Sequence, residues 1–297
     1  MSKLILIDGN AILHRAFHAL PVLTTKRGEP VNAVYGLITM LLRAIQDLKP
    51  SHIAICFDEK GVTFRHKICP TYQAQRPTIA NELSSQFAKA KTVIEAFGIP
   101  VYSKRGFEAD DIIGTLAKKA KQEVIIITGD RDMLQLVNSK IKVYLPVVGL
   151  SSAKLMGEKE VMEKMGIYPS QIPEYKALVG DPSDNYPGVA GIGPKTAANL
   201  LNRYKSLGGI YKNLSKIPPS VREKLVKGKS SAYLSLKLAR IVTNVPLRGD
   251  LAASGKWKLV NNEKLLRVFT ELGFKSLLDR VKKMARQADL DKQETLF

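Results

Sequence analysis

Two kinds of hydrophobic pattern divide this chain. Residues 4–7, 52–57 and 124–128 are continuous runs of β-favouring side chains, each stopped by a polar turn. Such runs predict strands buried on both faces of a parallel sheet. Between them the apolar positions return with helical spacing, over residues 11–19, 34–48, 81–97 and 109–120. In the second of these, Leu37, Leu41, Ala44 and Leu48 fall on one side, as a helix lying on a sheet requires. Residues 100–102 predict a further short strand and 133–137 a short helix. Residues 26–30 and the basic, aromatic stretch 60–76 follow neither period and are expected to be irregular. Strand and helix in alternation predict an α/β fold, a parallel sheet covered on both faces.

The pattern changes after Ile167, where Tyr168-Pro169 opens a region of helices and loops rich in lysine and glycine. A helix is expected over 232–242, carrying Lys237 and Arg240, and a helical pair over 262–284, with Leu265, Leu266, Phe269, Leu272 and Leu277 as its core positions. The expected division is an α/β core over 1–167, a helical unit over 168–286 and a flexible polar tail over 287–297. No apolar run approaches the length that spans a bilayer.

Charge narrows the choice of partner. Lys+Arg 46 against Asp+Glu 27 gives a formal +19, which points to a polyanion, nucleic acid before an anionic membrane surface. The chain starts Met1-Ser2-Lys3 without a signal-peptide layout, and its two cysteines, Cys56 and Cys69, suit neither a disulfide framework nor a zinc site. A cytoplasmic setting is the expectation.

Against that basic background the acids are ordered. The three main predicted strands run into Asp8, Asp58 and Asp130, and in a parallel sheet all carboxyl ends share one edge, where open α/β folds place their sites. One aspartate at a strand end is ordinary turn chemistry; three on one edge are a pattern. Glu108, Asp110 and Asp111 open the helix that follows residues 100–102, Asp132 lies just past Asp130, and Asp181 and Asp184 precede a glycine hairpin. An acidic helix start is the bland reading of Glu108–Asp111, but the recurrence of acids on the same edge favours metal. Nine hard oxygen donors without histidine or cysteine suit two ions of Mg2+ or Mn2+, and two such ions about 4 Å apart hydrolyse phosphodiesters in line. An aspartyl-phosphate phosphatase would need a second aspartate at position 10, which is Asn10. In the hairpin, Gly188, Gly191, Gly193, Lys195 and Thr196 lead into a helix, so successive N–H groups can meet a phosphate. No strand precedes these glycines, against a dinucleotide fingerprint, and Pro194 breaks the order of a Walker loop.

These motifs together resemble the 5′→3′ exonuclease domain of bacterial DNA polymerase I, within the flap endonuclease superfamily. The resemblance is carried by Asp8-Gly9-Asn10, Arg27-Gly28-Glu29-Pro30, Phe57-Asp58, Phe64-Arg65-His66, Glu108-Ala109-Asp110-Asp111, Gly129-Asp130-Arg131-Asp132, the Gly180 to Asn185 run and the hairpin. It implies a PIN-like nuclease core with a helical arch over about residues 63–97, then a helical domain with a helix–hairpin–helix over about 185–201 that grips duplex DNA, with a K+ ion there. Asp8, Asp58, Glu108, Asp110 and Asp111 would serve one metal, and Asp130, Asp132, Asp181 and Asp184 the second. Arg65, Tyr72 and Gln73 would meet DNA, and Arg76 would assist at the scissile phosphate. The implied substrates are 5′ flaps and ends of DNA and RNA primers on DNA, met by a monomer in the bacterial cytoplasm at the nucleoid. One departure stands out. Relatives carry Tyr-Lys-x-x-Arg in the arch, and here it is Tyr72-Gln73-Ala74-Gln75-Arg76. Glutamine donates a hydrogen bond but brings no positive charge, so either cleavage is slowed or a neighbouring base such as Lys67 substitutes. The chain ends Gln293-Glu294-Thr295-Leu296-Phe297, similar to peptides that bind the bacterial sliding clamp. A branched-DNA-binding module without cleavage is the alternative of another class; it has no use for acids that repel its ligand.

Overall fold

The computed structural model describes residues 2–146, 153–247, 257, 259 and 263–294, with residues 288–294 as backbone alone. Six strands form one sheet: β1 (Lys3–Asp8), β2 (His52–Cys56), β3 (Val101–Tyr102), β4 (Glu123–Ile127), β5 (Ile141–Pro146) and β6 (Ala153–Met156), in the order β3-β2-β1-β4-β5-β6. The pairs among the first five are parallel, and β6 runs antiparallel at the edge. The chain leaves β1 to pair β2 on one side and returns to pair β4 on the other, so the strand order switches between β1 and β4. A crevice opens at the carboxyl ends of such a pair, and Asp8 and Asp130 stand on its two sides.

Period two along each strand distributes the core. Leu4, Leu6, Val124 and Ile126 face one way, and Ile5, Ile7, Ile125 and Ile127 the other. The second face is covered by α1 (Gly9–Ala19), α2 (Asn32–Leu48) and α4 (Asn81–Ala96), which follows the single turn α3 (Phe64–Ile68). No side chain of its own caps α2; instead Gln86 of α4 accepts from Ala33 N at 2.8 Å and Val34 N at 3.3 Å, satisfying helix-end donors that would otherwise be buried alone. The first face holds α5 (Ala109–Lys119) and the helices α6 (Glu158–Met165), α7 (Ile172–Val179), α8 (Pro194–Tyr204), α9 (Leu207–Lys212), α10 (Pro219–Lys227) and α11 (Lys229–Ala239).

Several expectations are corrected. β5 and β6, whose apolar runs are interrupted by Lys142 and Lys154, extend the sheet beyond the predicted strands. The stretch 60–76 contains the helical turn α3. α11 spans 229–239 rather than 232–242: Ile241, Val242 and Thr243 are β-branched and leave the helix. They run along α5, where Val245 N donates to Thr115 Oγ1 at 3.0 Å. The helical unit expected over 168–286 divides in space. Its last members, α12 (Glu263–Glu271) and α13 (Lys275–Glu294), pack on the α/β core, with Phe269 edge-on to Phe97 and Phe274. Residues 287–294 continue α13 instead of starting a flexible tail, since 284–294 holds good helix formers without glycine or proline. Leu296 and Phe297 lie outside the described residues, as does the side chain of Gln293. Among the described residues no helix is long and apolar enough to cross a membrane.

Phe269 is fully buried between α4 and α13. Phe269→Ala is expected to cost about 3–5 kcal/mol, read as a lower urea midpoint at unchanged slope. A loss below about 1 kcal/mol would show that α12 does not belong to the core.

Candidate metal centre

Two groups of carboxylates meet at the strand ends. In the first, Asp8 caps α1, its Oδ1 accepting from Ala11 N at 2.9 Å and its Oδ2 from Thr128 Oγ1 at 2.8 Å. Asp58 stands just past β2 and accepts from Ala109 N at 2.7 Å, at the start of α5. Two helix N-termini thus aim partial positive charge at two acids. Glu108 accepts from Thr63 Oγ1 at 3.2 Å and Tyr72 OH at 3.3 Å, and lies 3.3 Å from the Arg65 guanidinium. Asp110 enters the same space from the first turn of α5, and among the described residues no donor reaches its carboxylate.

Crowding moves the protons. Burial pushes the Asp8 carboxyl up to about 7, with Asp58 and Asp130 adding repulsion. Burial likewise lifts Glu108 to about 7 against the pull of Arg65. Asp110 is driven well above the usual carboxylate range by burial and then by Asp130, Asp8 and Asp58. Asp58 still reaches solvent, but the protein packed around it raises it too.

The second group comes from both halves of the chain. Asp130 Oδ1 accepts from Asp132 N at 2.8 Å, fixing the loop after β4. Asp132, Asp181 and Asp184 each offer an oxygen within 4.8 Å of the others. Lys176 of α7 bridges Asp132 and Asp181. Burial, then Asp130, lifts Asp132 to about 7 even so. Burial also pushes Asp181 up, but Lys176 and Ser183 outweigh it and hold that carboxyl below its usual range. Asp184 accepts from Arg76 at 2.6 Å, from Tyr72 OH at 3.2 Å and from Gln73 Nε2 at 3.2 Å. Residues 69–80, between α3 and α4, are thereby tied to the acidic loop, and Gln73 N donates to Asp184 O at 3.0 Å.

Some residues proposed from sequence sit elsewhere. Asp111 is fully buried and turned away from Asp110, as adjacent helix positions are. It takes two bonds from Arg65, at 2.7 and 2.9 Å, one from Val242 N at 2.8 Å and one from Glu108 N at 3.2 Å. No acceptor capacity remains for an ion. Arg65, 3% exposed, also donates to the carbonyls of Leu238 and Arg240, so it is a buried clasp and presents nothing to DNA. Tyr72 is buried as well, its hydroxyl spanning Glu108 and Asp184. Lys67 lies exposed on α3, with no ion pair among the described residues. Arg76 is half-exposed beside Asp184.

The hairpin separates its glycines by role. At Gly188 the backbone has φ +65, and a Cβ there would stand 2.2 Å from Gly180 N. Gly188 is therefore a buried crossing point, not a phosphate contact as expected. Gly191, Gly193 and Lys195 are exposed and Thr196 half-buried at the start of α8, where the first-turn N–H groups of a helix lack partners within it.

Two further residues were invisible in the sequence. Lys176 is one base among 46 and sits in an unremarked helix. Tyr186 is 3% exposed in the field of Asp132, Asp181 and Asp184, and its hydroxyl finds no partner among the described residues. An oxygen-only donor set, an ammonium lying among the carboxylates and an orphaned buried hydroxyl beside them fit a hard divalent cation with its water.

A parallel sheet with acids at its switch point, a bridging segment over them and a glycine hairpin beside them define a nuclease fold of the metal-dependent kind. The chain belongs to the 5′-3′ exonuclease family: its N-terminal resolvase-like domain model matches residues 3–166, and its C-terminal SAM-fold model matches residues 167–263. DNA polymerase I of Caldicellulosiruptor bescii is 42% identical over 286 residues, 94% of this chain and 33% of that protein. The thermostable DNA polymerase I of Thermus filiformis is 41% identical over 280 residues, 93% of this chain and 33% of that protein. The chain thus spans about a third of the length of these relatives. Among solved structures, the bacteriophage T5 flap endonuclease with DNA and metal ions matches with a TM-score of 0.66 and 19% identity, over 96% of this chain and 98% of that one. Flap endonuclease-1 from Methanococcus jannaschii matches at 0.64 with 16% identity, over 96% and 92%. At these identities the likeness is one of fold.

Raised carboxyls make stability depend on pH. Asp8, Glu108 and Asp132 keep protons to about 7 when folded but release them near about 4 when unfolded. The folded chain then binds more protons, so in chelator its melting temperature is expected to fall as pH rises through that window. Saturating Mg2+ at neutral pH should restore it. A melting temperature that rises through the window without metal would contradict this assignment.

Proposed function

We propose that this chain is a structure-selective, divalent-metal-dependent 5′ nuclease, acting on 5′ flaps and ends of DNA and on RNA primers paired to DNA. The observation that carries the reading is the convergence of Asp8, Asp58, Glu108 and Asp110 with Asp130, Asp132, Asp181 and Asp184 at one switch point. The first four would hold one ion and the last four the other, Mg2+ or Mn2+, some through water. The ions supply Lewis acidity for an attacking water and a departing oxygen. The chain's own groups do the rest. Thr128, Thr63 and the N-termini of α1 and α5 orient the carboxylates. Arg76 brings a guanidinium suited to phosphate, and Gln73 beside it offers a neutral donor in place of the lysine that the resemblance implies. The surface backbone at Gly191, Gly193, Lys195 and Thr196, with the Lys195 side chain and a K+ ion, would grip the duplex downstream of the cut. The working units are the core over 1–167, including the arch over about 63–97, whose residues 69–80 reach the acids while α4 packs on the sheet, and the hairpin-bearing helices after it, in a monomer of the bacterial cytoplasm at the nucleoid. A pure DNA-binding module would be weakened by the same acids.

A labelled 5′-flap DNA with Mg2+ tests this. The chain is expected to cut it, Asp130→Asn to lose at least about a hundredfold in rate, and Gln73→Lys to gain. Cleavage unchanged in Asp130→Asn, or absent throughout, would overturn the two-metal reading; an unchanged Gln73→Lys rate would show that position 73 does not limit it. The tail is proposed to dock Gln293, Leu296 and Phe297 on the sliding clamp. Binding of the tail peptide to purified clamp, lost on Leu296→Ala/Phe297→Ala, is the expected result, and no binding by the intact peptide ends that proposal.

A further inference from the structure

The two acidic groups differ in what already neutralises them. Asp8 accepts from an amide and a threonine, Asp58 from an amide, and Asp110 from no described donor, while Glu108 lies 3.3 Å from Arg65, a cation already committed to Asp111 on both its terminal nitrogens. The second group is filled by cations of the chain itself. Asp184 carries Arg76, and the Lys176 ammonium lies between Asp132 Oδ1 and Asp181 Oδ2. These two carboxylates come from separate parts of the chain, the loop after β4 and the corner after α7. The Lys176 side chain is 17% exposed, Asp132 16% and Asp181 11%. With Asp184 they form the group whose oxygens all lie within 4.8 Å. A compact group of carboxylate oxygens with one half-buried ammonium between two of its members has the layout of ligands around a cation.

We propose that Lys176 is a built-in competitor for the second metal position: a divalent ion enters between Asp132 and Asp181 as the ammonium leaves. This rests on the reading that the acidic edge holds two ions, and it adds an order to their binding. The first site is open to an ion directly. At the second, the incoming double charge must displace a single charge already held by two carboxylates, so it fills later and more weakly. The lysine stem is flexible enough to swing the released ammonium to solvent, which a rigid guanidinium would do less readily. While the site is empty of metal, the same ammonium joins the core loop to α7 and holds the two carboxylates together.

Mn2+ binding to the DNA-free full chain, followed by the electron paramagnetic resonance signal of free Mn2+, tests the order. The unaltered chain is expected to bind one ion tightly and one weakly. Lys176→Met keeps the length and removes the charge, and should bind the second ion about tenfold more tightly or better. Lys176→Arg, which keeps the charge, should not tighten it. A second-ion affinity in Lys176→Met that is equal to or weaker than in the unaltered chain would overturn the proposal, with the metal reading intact. No Mn2+ bound by any of the three would sink both. A second measurement does not depend on how Lys176→Met folds. Amine acetylation of the unaltered chain, read by peptide mass spectrometry, should find Lys176 protected in chelator and reactive at saturating Mn2+. Equal reactivity in the two conditions would overturn the displacement.

Discussion

Like charge gathered at one edge is the constraint on which the rest of the structure depends. Parallel strands joined by right-handed crossovers bring all their carboxyl ends together, so Asp8, Asp58 and Asp130 meet whatever the loops do. Repulsion among them, sharpened by burial, has to be offset locally. The chain uses three devices: helix N-termini aimed at Asp8 and Asp58, hydroxyls from Thr128, Thr63, Tyr72 and Ser183, and the cations Arg76 and Lys176. Each device ties a different element to the edge. Arg76 brings down the bridge between α3 and α4, and Lys176 brings in α7. The architecture around the strand ends is largely a response to their charge.

Arg65 and Asp111 answer a different need with the same chemistry. Their bidentate pair lies fully buried, and Arg65 also holds the carbonyls that end α11. A buried pair adds little net stability over an apolar substitute, but losing one partner costs much because the other is left charged and alone. Its contribution is geometric. It joins α3, α5 and the strand-like exit from α11 at one point, directly beneath Glu108. Removing the charge of Asp111 would release the floor under the first acidic group, although Asp111 itself faces away from it.

What could be read from residues alone follows the same physics. Continuous apolar runs and their terminal aspartates are local patterns, so the sheet core and Asp8, Asp58 and Asp130 were legible. β5 and β6 were not, because Lys142 and Lys154 break their runs. Asp110 and Asp111 are neighbours in sequence with identical chemistry, and only rotation about the helix axis sends one to the pocket and the other to Arg65. Arg65 had the composition of a DNA contact and the burial of a core residue. Gly188 and Gly191 belong to one motif, yet one serves backbone packing and the other the surface. Lys176 and Tyr186 owe their roles to contacts between distant segments, which no local pattern carries. The placement of α12 and α13 on the α/β core has the same origin: their stripe is plain, but the face that receives it is not.

The balance of charge over the whole molecule and at this edge point in opposite directions, and the contrast carries the functional argument furthest. A formal +19 draws a phosphodiester to the surface at large. Without metal, the ionised carboxylates at the edge oppose the same phosphodiester at the place where the strand ends converge. A protein that only held nucleic acid would gain by losing these acids, and the apolar cores on both faces of the sheet are built from other residues. Asp8, Glu108 and Asp132 are instead kept at the cost of pKa values near about 7, each supported by its own donors. Such a patch becomes attractive to phosphate only when external cations invert its sign. On the proposed reading, attraction at the surface would be governed by salt and the sign of the edge by metal.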